Sequence, residues 1–264
     1  MGMKIRRPLS AAVVAGLVGV GAACAPGGDR TGEDDPVAAR TVTYQSPEDL
    51  PERRSADGTT IEVGNPEAGS TVQVYEDPRC PVVEEFEQTG ATALHGLLLE
   101  GKVKAKYTFA SFKDDRLGGD GSKRAVNALR AALEKGMFVE YHAVLFANQV
   151  AVESSGGFTT ARLLKLAGEV PGLRDDAFDQ AVKTMKYRSF VIASQRAYEH
   201  TGDDPIGPGT PTVIVNGHNI DGGLFAVNFD AKLFGLLVRD LHARPGAWDW
   251  QYEPLKKRLE ATET

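Results

Sequence analysis

The residue in this chain best placed to do chemistry is a cysteine at position 80. Residues 75–87 read YEDPRCPVVEEFE, so Cys80 follows an apolar strand-like segment and precedes a helix-like one. Val83 stands three residues later, where a second cysteine would complete a Cys-x-x-Cys pair. A dithiol site attacks a disulfide with one thiolate and releases the mixed disulfide with the other. Cys80 can therefore attack, but another molecule must supply the thiol that releases it.

The position predicted for Cys80 favours its reactive form. Proline is tolerated in the first turn of a helix, so we expect a helix to begin at Pro81. The unpaired N–H groups and the dipole of a helix N-terminus stabilise a thiolate. Arg79 adds positive charge, whereas Asp77 and the glutamates that follow oppose it. Glu76 either relays protons or faces the solvent.

Residues 1–23 have the composition of an export signal. Three basic residues precede an apolar run at 9–20, and small residues follow it. The run is shorter than the roughly 20 apolar residues of a membrane span. Cys24 comes directly after the small residues and resembles the lipid-attachment cysteine of bacterial lipoproteins. We predict a signal peptide of the lipoprotein type and an exported protein held at the outer face of the membrane by that lipid alone. Plain secretion is the alternative.

Composition narrows the classes of partner. The chain is 42% hydrophobic and 25% charged, which is typical of a globular protein. Its net charge of −6 becomes −9 once the three bases of the signal segment are removed, which argues against nucleic acid as a partner. The histidines are dispersed, and His142 falls on the inner face of an amphipathic helix, where it is expected to pack. The sequence thus predicts no metal site and no cofactor.

Four segments follow from composition and periodicity. A signal peptide at 1–23 is followed by a flexible tether at 24–54, rich in proline, glycine and charge. The folded domain spans 55–244, and 245–264 form a tail in which Trp248 and Trp250 either dock on the domain or mark a partner contact.

Within the folded domain, the pattern changes between strand-like and helix-like periods. A βαβ unit is predicted first, with two parallel strands joined by one helix. A run of helices at about 120–202 follows and ends before a last strand and a tight Asn-Gly turn. The predicted strands are 59–63, 71–75, 103–112 and 212–215, and the predicted long helices include 81–99, 175–200 and 230–242.

Four ordered motifs resemble the DsbA-like branch of the thioredoxin superfamily. They cover most of residues 58–243, and together they are more specific than any one alone. The resemblance implies an α/β, thioredoxin-like fold, in which a central mixed sheet is flanked by helices and carries an inserted α-helical subdomain. The motifs are VGNPEAG before the cysteine strand, Asp77-Pro78-Arg79-Cys80-Pro81, a helical segment containing Ser122, Arg124, Tyr141-His142 and Asn148-Gln149, and Gly209-Thr210-Pro211-Thr212.

The resemblance also implies a substrate site around Cys80. In relatives, the loop that matches Thr210-Pro211 holds a cis-proline beside the cysteine. A cis X-Pro bond exposes the backbone groups of the preceding residue, which can pair with an extended peptide. Pro81, Val83, Thr210 and Pro211 are therefore the predicted substrate-binding residues, and Cys80 is the predicted catalytic one. The expected partners are client proteins or small thiols and disulfides.

Several functions fit these residues. The first is a monothiol thiol-disulfide oxidoreductase that exchanges, deglutathionylates or isomerises through Cys80. The second is a non-enzymatic module that keeps the peptide groove while Cys80 is vestigial; Val83 favours it, whereas the retained Cys80-Pro81 and Thr210-Pro211 favour the first. A one-cysteine peroxidase ranks lower, because Asp77 stands where a threonine is wanted. Glutathione transfer by a related fold with a helical insertion also ranks lower, because those proteins are cytosolic and this chain carries a predicted export signal.

Overall fold

The computed structural model describes residues 42–262, and at their centre lies a mixed sheet of six strands in the order β1-β2-β4-β3-β5-β6. The strands are β1 (Glu52–Arg54), β2 (Ile61–Gly64), β3 (Ser70–Glu76), β4 (Val103–Phe109), β5 (Thr212–Val215) and β6 (His218–Asn219). The helices are α1 (Pro81–Gln88), α2 (Gly90–Leu99), α3 (Lys113–Leu117), α4 (Gly121–Leu133), α5 (Phe138–Ala147), α6 (Gln149–Ser154), α7 (Thr160–Ala167), α8 (Asp176–Lys183), α9 (Arg188–Glu199), α10 (Ala231–Ala243) and α11 (Glu253–Glu260). The predicted fold class is confirmed.

The centre of the sheet is the predicted βαβ unit. Strands β3 and β4 are parallel and paired along their whole length, with helices α1 and α2 between them in the chain. Val72 and Val74 of β3 are fully buried, as the alternation of apolar residues in that strand requires. Strand β5 runs antiparallel to β3, and its hairpin with β6 turns at Asn216 and Gly217, whose φ angles are 50° and 88°. The predicted Asn-Gly turn is confirmed.

Strand β4 ends at Phe109, three residues earlier than predicted. The amide of Ala110 still donates to the carbonyl of Glu76, at 2.7 Å. The next amide, that of Ser111, instead donates to the side chain of Gln195 on α9. The chain therefore leaves the sheet to begin α3, because a side chain from the helical insertion takes over its backbone donor.

The helix predicted over 81–99 is broken at Thr89. Thr89 has φ −124° and ψ −93°, outside the helical region, and separates α1 from α2. Its hydroxyl donates to the carbonyl of Glu85 at 2.6 Å, competing with the helical backbone. The carbonyl of Asn228 approaches Gly90 so closely that a Cβ there would lie 2.0 Å from the oxygen. Glycine at 90 is therefore needed for the second helix to pack.

The helical insertion lies between β4 and β5, as predicted, but the helix expected over 175–200 is two helices. Met185, with φ 53°, lies in the interruption between α8 and α9. Asn127 of α4 satisfies both sides of the break: its amide nitrogen donates to the carbonyl of Ala181 at 3.1 Å, and its oxygen accepts from the amide of Tyr187 at 2.8 Å. One buried side chain from a distant helix thus compensates the open backbone groups.

The end of the predicted tether belongs to the folded domain. Residues 52–54 form β1, which pairs antiparallel with β2, and the preceding Leu50 is buried. Both carboxylate oxygens of Glu52 accept backbone hydrogen bonds at the start of α5, from Phe138 at 2.9 Å and from Val139 at 2.7 Å. The boundary predicted at 54 was therefore too late. A short charged strand at a sheet edge has little apolar pattern from which to predict it.

The C-terminal segment packs on the domain. Trp248 is 7% exposed and stacks on His218 with ring centroids 4.5 Å apart, whereas Trp250 is 60% exposed. Helix α11 packs against the 3-10 turns at Gly222–Phe229. One tryptophan therefore docks and the other faces solvent. Among the helices within residues 42–262, none is long and apolar enough to cross a membrane.

Candidate active site

Cys80 lies where the sheet meets its first helix. Strand β3 ends at Glu76, and the amide of Cys80 donates to the carbonyl of Asp77 at 2.9 Å, closing a turn. Cys80 is the N-cap residue of α1, and Pro81 occupies the first helical position as predicted. The carbonyl of Cys80 accepts from the amides of Val83 and Glu84, at 3.1 and 3.2 Å. The side chain is 3% exposed.

The predicted proline loop lies against this cysteine. The peptide bond between Thr210 and Pro211 is cis, as predicted from the sequence. The thiol of Cys80 donates to the carbonyl oxygen of Thr210 at 3.2 Å, across 130 positions in the chain. The structure thus brings together Cys80, Pro81, Thr210 and Pro211. Their roles in substrate binding stay a prediction.

A cavity of about 520 Å³ opens beside the thiol. One of its walls is the aromatic pair Phe112 and Tyr198, stacked with centroids 5.6 Å apart. The hydroxyl of Tyr198 accepts from the amide of Gly209 at 3.1 Å and so fixes the loop that precedes Thr210. The exposed side chain of Ile206 lies on the same cavity. An extended, partly apolar chain could lie there in contact with the sulfur.

Val83 lies three residues after Cys80, in the first turn of α1. It is fully buried and clusters with Cys80 and Phe146 of α5. Pro81 and Val82, on the other face of the first turn, are exposed. Val83 is thus packed beneath the surface, and its role in substrate binding stays a prediction.

The guanidinium of Arg79 is bound by two carboxylates and a backbone carbonyl. It forms ion pairs with Asp114 at 3.1 Å and with Glu153 at 3.1 Å, and it donates to the carbonyl of Gly118 at 2.9 Å. These partners belong to the loop and helices beyond β4. The predicted modulating role of Arg79 stays a prediction, while its contacts link the cysteine loop to the helical insertion.

Asp77 is fully buried and holds the cysteine loop. Its carboxylate accepts from the Ser122 hydroxyl at 2.6 Å and from the amides of Arg79 and Lys113, at 3.0 and 2.9 Å. Burial raises the pKa of Asp77 to about 6, against the lowering effect of these three donors. Sequence reasoning treated Asp77 as an opposing charge and as a motif residue, but not as the side chain that holds the turn. The signal it missed was the Asp-Pro turn before the cysteine.

Glu76 does not face the solvent, which was one of its two predicted alternatives. It is fully buried, and its Oε2 lies 2.8 Å from Nε2 of His142. Burial raises the pKa of Glu76 to about 8. Burial, together with the charge of Glu76, raises the pKa of Glu87 well above its usual range, and burial lowers that of His142. His142 is packed, as predicted, but it is also hydrogen-bonded.

The pairing of Glu76 with His142 could not be read from the sequence. The two residues lie 66 positions apart, on β3 and α5, and only the packing of α5 against α1 brings them together. One side-chain donor atom each of Glu76, Glu87 and His142 lies within 4.8 Å of the others. Within residues 42–262, these three residues form a group whose side chains could hold a metal ion. Cys24 and segment 1–23, predicted as lipid attachment site and signal peptide, lie outside residues 42–262.

Comparison with solved structures supports the fold. MdbA of Corynebacterium diphtheriae, described as a thiol-disulfide oxidoreductase, aligns with a TM-score of 0.57 at 19% identity over 72% of this chain and 95% of that chain. BdbD of Bacillus subtilis aligns with a TM-score of 0.58 at 19% identity, over 77% of this chain and 98% of that chain. The oxidised DsbA of Mycobacterium tuberculosis aligns with a TM-score of 0.51 at 24% identity, over 71% of this chain and 93% of that chain. At these identities the likeness shows the fold alone.

Comparison of sequences gives the family. None of the curated proteins matches the chain. A profile of the Thioredoxin family matches residues 56–231, which include the Cys80 turn, the helical insertion and the cis-proline loop. This is more than half of the chain, and it coincides with the sheet and helices described above. The chain therefore belongs to the Thioredoxin family.

Proposed function

We propose that this chain is an exported monothiol thiol-disulfide oxidoreductase that exchanges disulfides through Cys80. The observation that carries the proposal is the contact of the Cys80 sulfur with the Thr210 carbonyl, 3.2 Å apart, beside a cis-proline and a 520 Å³ cavity. The sulfur and a peptide-docking edge therefore face the same space. The solved relative described as a thiol-disulfide oxidoreductase supports the same chemistry.

The reaction needs two exchanges and no other redox agent. Cys80 loses its proton to solvent, and the thiolate attacks one sulfur of a client disulfide. The client S–S bond breaks, its electron pair leaves on the second client sulfur, and a mixed disulfide with Cys80 remains. A thiolate of the client or of a small thiol then attacks the client sulfur of that bond and regenerates Cys80. The number of disulfide bonds is unchanged: attack by a client thiolate gives isomerisation, and attack by a small thiol leaves that thiol in a mixed disulfide with the client, whose other sulfur is left as a thiol.

The cis-proline edge positions the client. An extended peptide can pair with the backbone of Thr210 as an added strand, which places its own sulfur near Cys80. The exposed apolar side chains near the thiol, Val82 and Ile206, favour clients with apolar residues beside the disulfide. Pro81 and Pro211 shape the two sides of this contact. Lipid on Cys24 would hold the domain at the outer face of the membrane.

A peptide-binding module without turnover is the second candidate. Cys80 is 3% exposed and Val83 packs where a resolving sulfur would lie, which favours this alternative. Its groove would bind the same extended segments, with the Thr210 backbone as the docking edge. The two candidates differ only in whether a covalent bond to Cys80 forms and turns over.

The deciding experiment measures reactivation of a scrambled disulfide protein in the presence of a small thiol. The full chain is compared with Cys80→Ser and with Cys24→Ser, which removes the other cysteine as a matched control. We expect Cys80→Ser to fall to the uncatalysed rate and Cys24→Ser to keep the rate of the unchanged chain. Equal rates for the unchanged chain and Cys80→Ser would exclude exchange and leave the binding module.

A further inference from the structure

Three side chains from three elements meet in the core next to the cysteine helix. Glu76 ends β3, Glu87 lies on α1, and His142 lies on α5. None is more than 7% exposed, and one donor atom from each lies within 4.8 Å of the others. Zinc binds oxygen and nitrogen donors at about 2.0–2.2 Å, so the donors of one ion lie at most about 4.4 Å apart, and these three would draw slightly closer together to share one ion.

The two carboxyl groups lack a compensating positive charge. Within residues 42–262, the ion-pair partner of both is His142, whose Nε2 lies 2.8 Å from Glu76 Oε2 and whose Nδ1 lies 3.6 Å from Glu87 Oε2. The second oxygens, Oε1 of Glu76 and Oε1 of Glu87, are buried with no hydrogen bond to any group outside the cluster, and the two carboxyl groups also interact with each other. Carboxyl groups so close together in an apolar core need either a shared proton or a cation between them.

The surroundings are aromatic. Rings of Tyr107, Phe109, Phe138 and Phe146 lie with their centroids 4.8–6.4 Å from that of His142. A shell of this kind offers few oxygens beyond the cluster itself, so it disfavours Mg²⁺, which keeps several waters. Imidazole with carboxylate suits an ion of the zinc type, which needs no water when carboxylates bind through both oxygens.

We propose that Glu76, Glu87 and His142 bind one divalent transition-metal ion, with zinc as the ion that the donors fit. Two carboxylates balance its charge, neutral His142 supplies a nitrogen, and the two Oε1 atoms complete the coordination. The ion would tie β3, α1 and α5 together beneath Cys80. It would take the place of a proton shared by the carboxyls, so Glu76 could not also relay protons. The inference departs from the sequence-based expectation of no metal site.

The test begins with the full chain, because a buried ion must enter during folding. The chain is unfolded in denaturant with a chelator, then refolded with either chelator or one equivalent of Zn²⁺, and freed of loose metal by gel filtration. We expect one zinc per chain in the second sample and a melting temperature about 5–10 °C above the first. Zinc-free protein with an unchanged melting temperature would show that the carboxyls share a proton, and it would overturn the proposal.

Two variants on one helix locate the ion. Glu87→Gln keeps the shape of the side chain but loses the anionic donor, and Glu85→Gln changes an exposed carboxylate of the same helix. We expect the first to weaken zinc binding at least about tenfold and the second to leave it unchanged. Equal binding by both variants would place the ion elsewhere and overturn the proposal.

A measurement on the unchanged chain decides the matter if Glu87→Gln fails to fold. X-ray absorption of the zinc-loaded protein reports the donor atoms directly. One imidazole with oxygen donors supports the proposed cluster. Sulfur in the coordination shell would mean that Cys80 or Cys24 holds the zinc, and it would contradict the assignment.

Discussion

At the scale of single residues, the proposed single-thiol chemistry of Cys80 depends on Val83. The side chain of Val83 is fully buried against Cys80 and Phe146, so the position is a packed part of the core. Cysteine is slightly smaller than valine and behaves as a small hydrophobic residue when buried. In the proposed chemistry, the lack of self-resolution comes from the side chain at position 83 alone, so we expect a single substitution to reverse it.

Val83→Cys is expected to create a dithiol site. The new thiol lies three residues after Cys80, within the first turn of α1, and is held there at an effective concentration on the order of mM or higher. At about 10 μM external thiol, release of a Cys80 mixed disulfide should become roughly 100-fold faster and independent of that thiol. Quenched-flow trapping of the mixed disulfide measures this.

Val83→Ala is the matched control, since it opens the same space without a thiol. It should leave the release rate proportional to external thiol, while lowering the free energy of unfolding by about 1–3 kcal/mol through the cavity it creates. If Val83→Cys also stayed dependent on external thiol, the two sulfurs could not meet, and the position would not correspond to a resolving cysteine.

At the scale of elements, the cysteine turn is tied to two helices outside it through the carboxylate of Asp77. This carboxylate accepts a hydrogen bond from the hydroxyl of Ser122 at 2.6 Å, which connects the turn to the beginning of α4. It also accepts a hydrogen bond from the backbone amide of Lys113 at the beginning of α3. The same carboxylate therefore joins three elements around Cys80.

Ser122→Ala is expected to lower the free energy of unfolding by about 1–3 kcal/mol, because it leaves a buried carboxylate short of one donor. Ser154→Ala removes an exposed hydroxyl on α6 and should change that free energy by less than about 0.5 kcal/mol. Urea titration followed by circular dichroism gives both values. A cost for Ser122→Ala no larger than that of Ser154→Ala would mean that Asp77 is satisfied without it.

The cis-proline loop depends on a contact from the helical insertion. Tyr198 of α9 accepts from the amide of Gly209 through its hydroxyl and stacks on Phe112 through its ring. Tyr198→Phe keeps the stack and removes the hydrogen bond. We expect a stability loss of about 1 kcal/mol and a higher KM for peptide disulfides, with little change in kcat. A fall in kcat at constant KM would instead place Tyr198 in the chemical step.

Elements defined by local pattern could be predicted from the sequence, and those defined by distant partners could not. The strand-helix-strand unit of β3 and β4 and the Asn216-Gly217 turn follow from local pattern, and the cis bond before Pro211 follows from the family resemblance of its loop. The interruption between α8 and α9 depends on Asn127, more than 50 positions away. The meeting of Glu76 with His142 depends on packing between helices, for which a single sequence has no periodic signal.

At the scale of the whole molecule, the fold extends beyond the segment that the motifs delimit. Strand β1 precedes the predicted domain and completes the sheet, and residues 245–262 follow it and pack on the other edge strand, where Trp248 stacks on His218. The 3-10 turns that α11 covers contain Phe225, which lines a cavity together with Pro211. The C-terminal segment thus covers the turns whose Phe225 faces the same cavity as Pro211.

The two tryptophans of this segment allow a test with an internal control, because they are the only two in the chain. Trp248→Ala removes a buried ring and should lower the free energy of unfolding by about 3–5 kcal/mol. Trp250→Ala removes an exposed ring whose contact is Arg244, 5.2 Å from its centroid, and should cost at most about 1 kcal/mol. Circular dichroism avoids the lost fluorescence. Equal small costs would mean that the segment only rests on the domain, and that removing it would leave the cis-proline loop and the exchange rate unchanged.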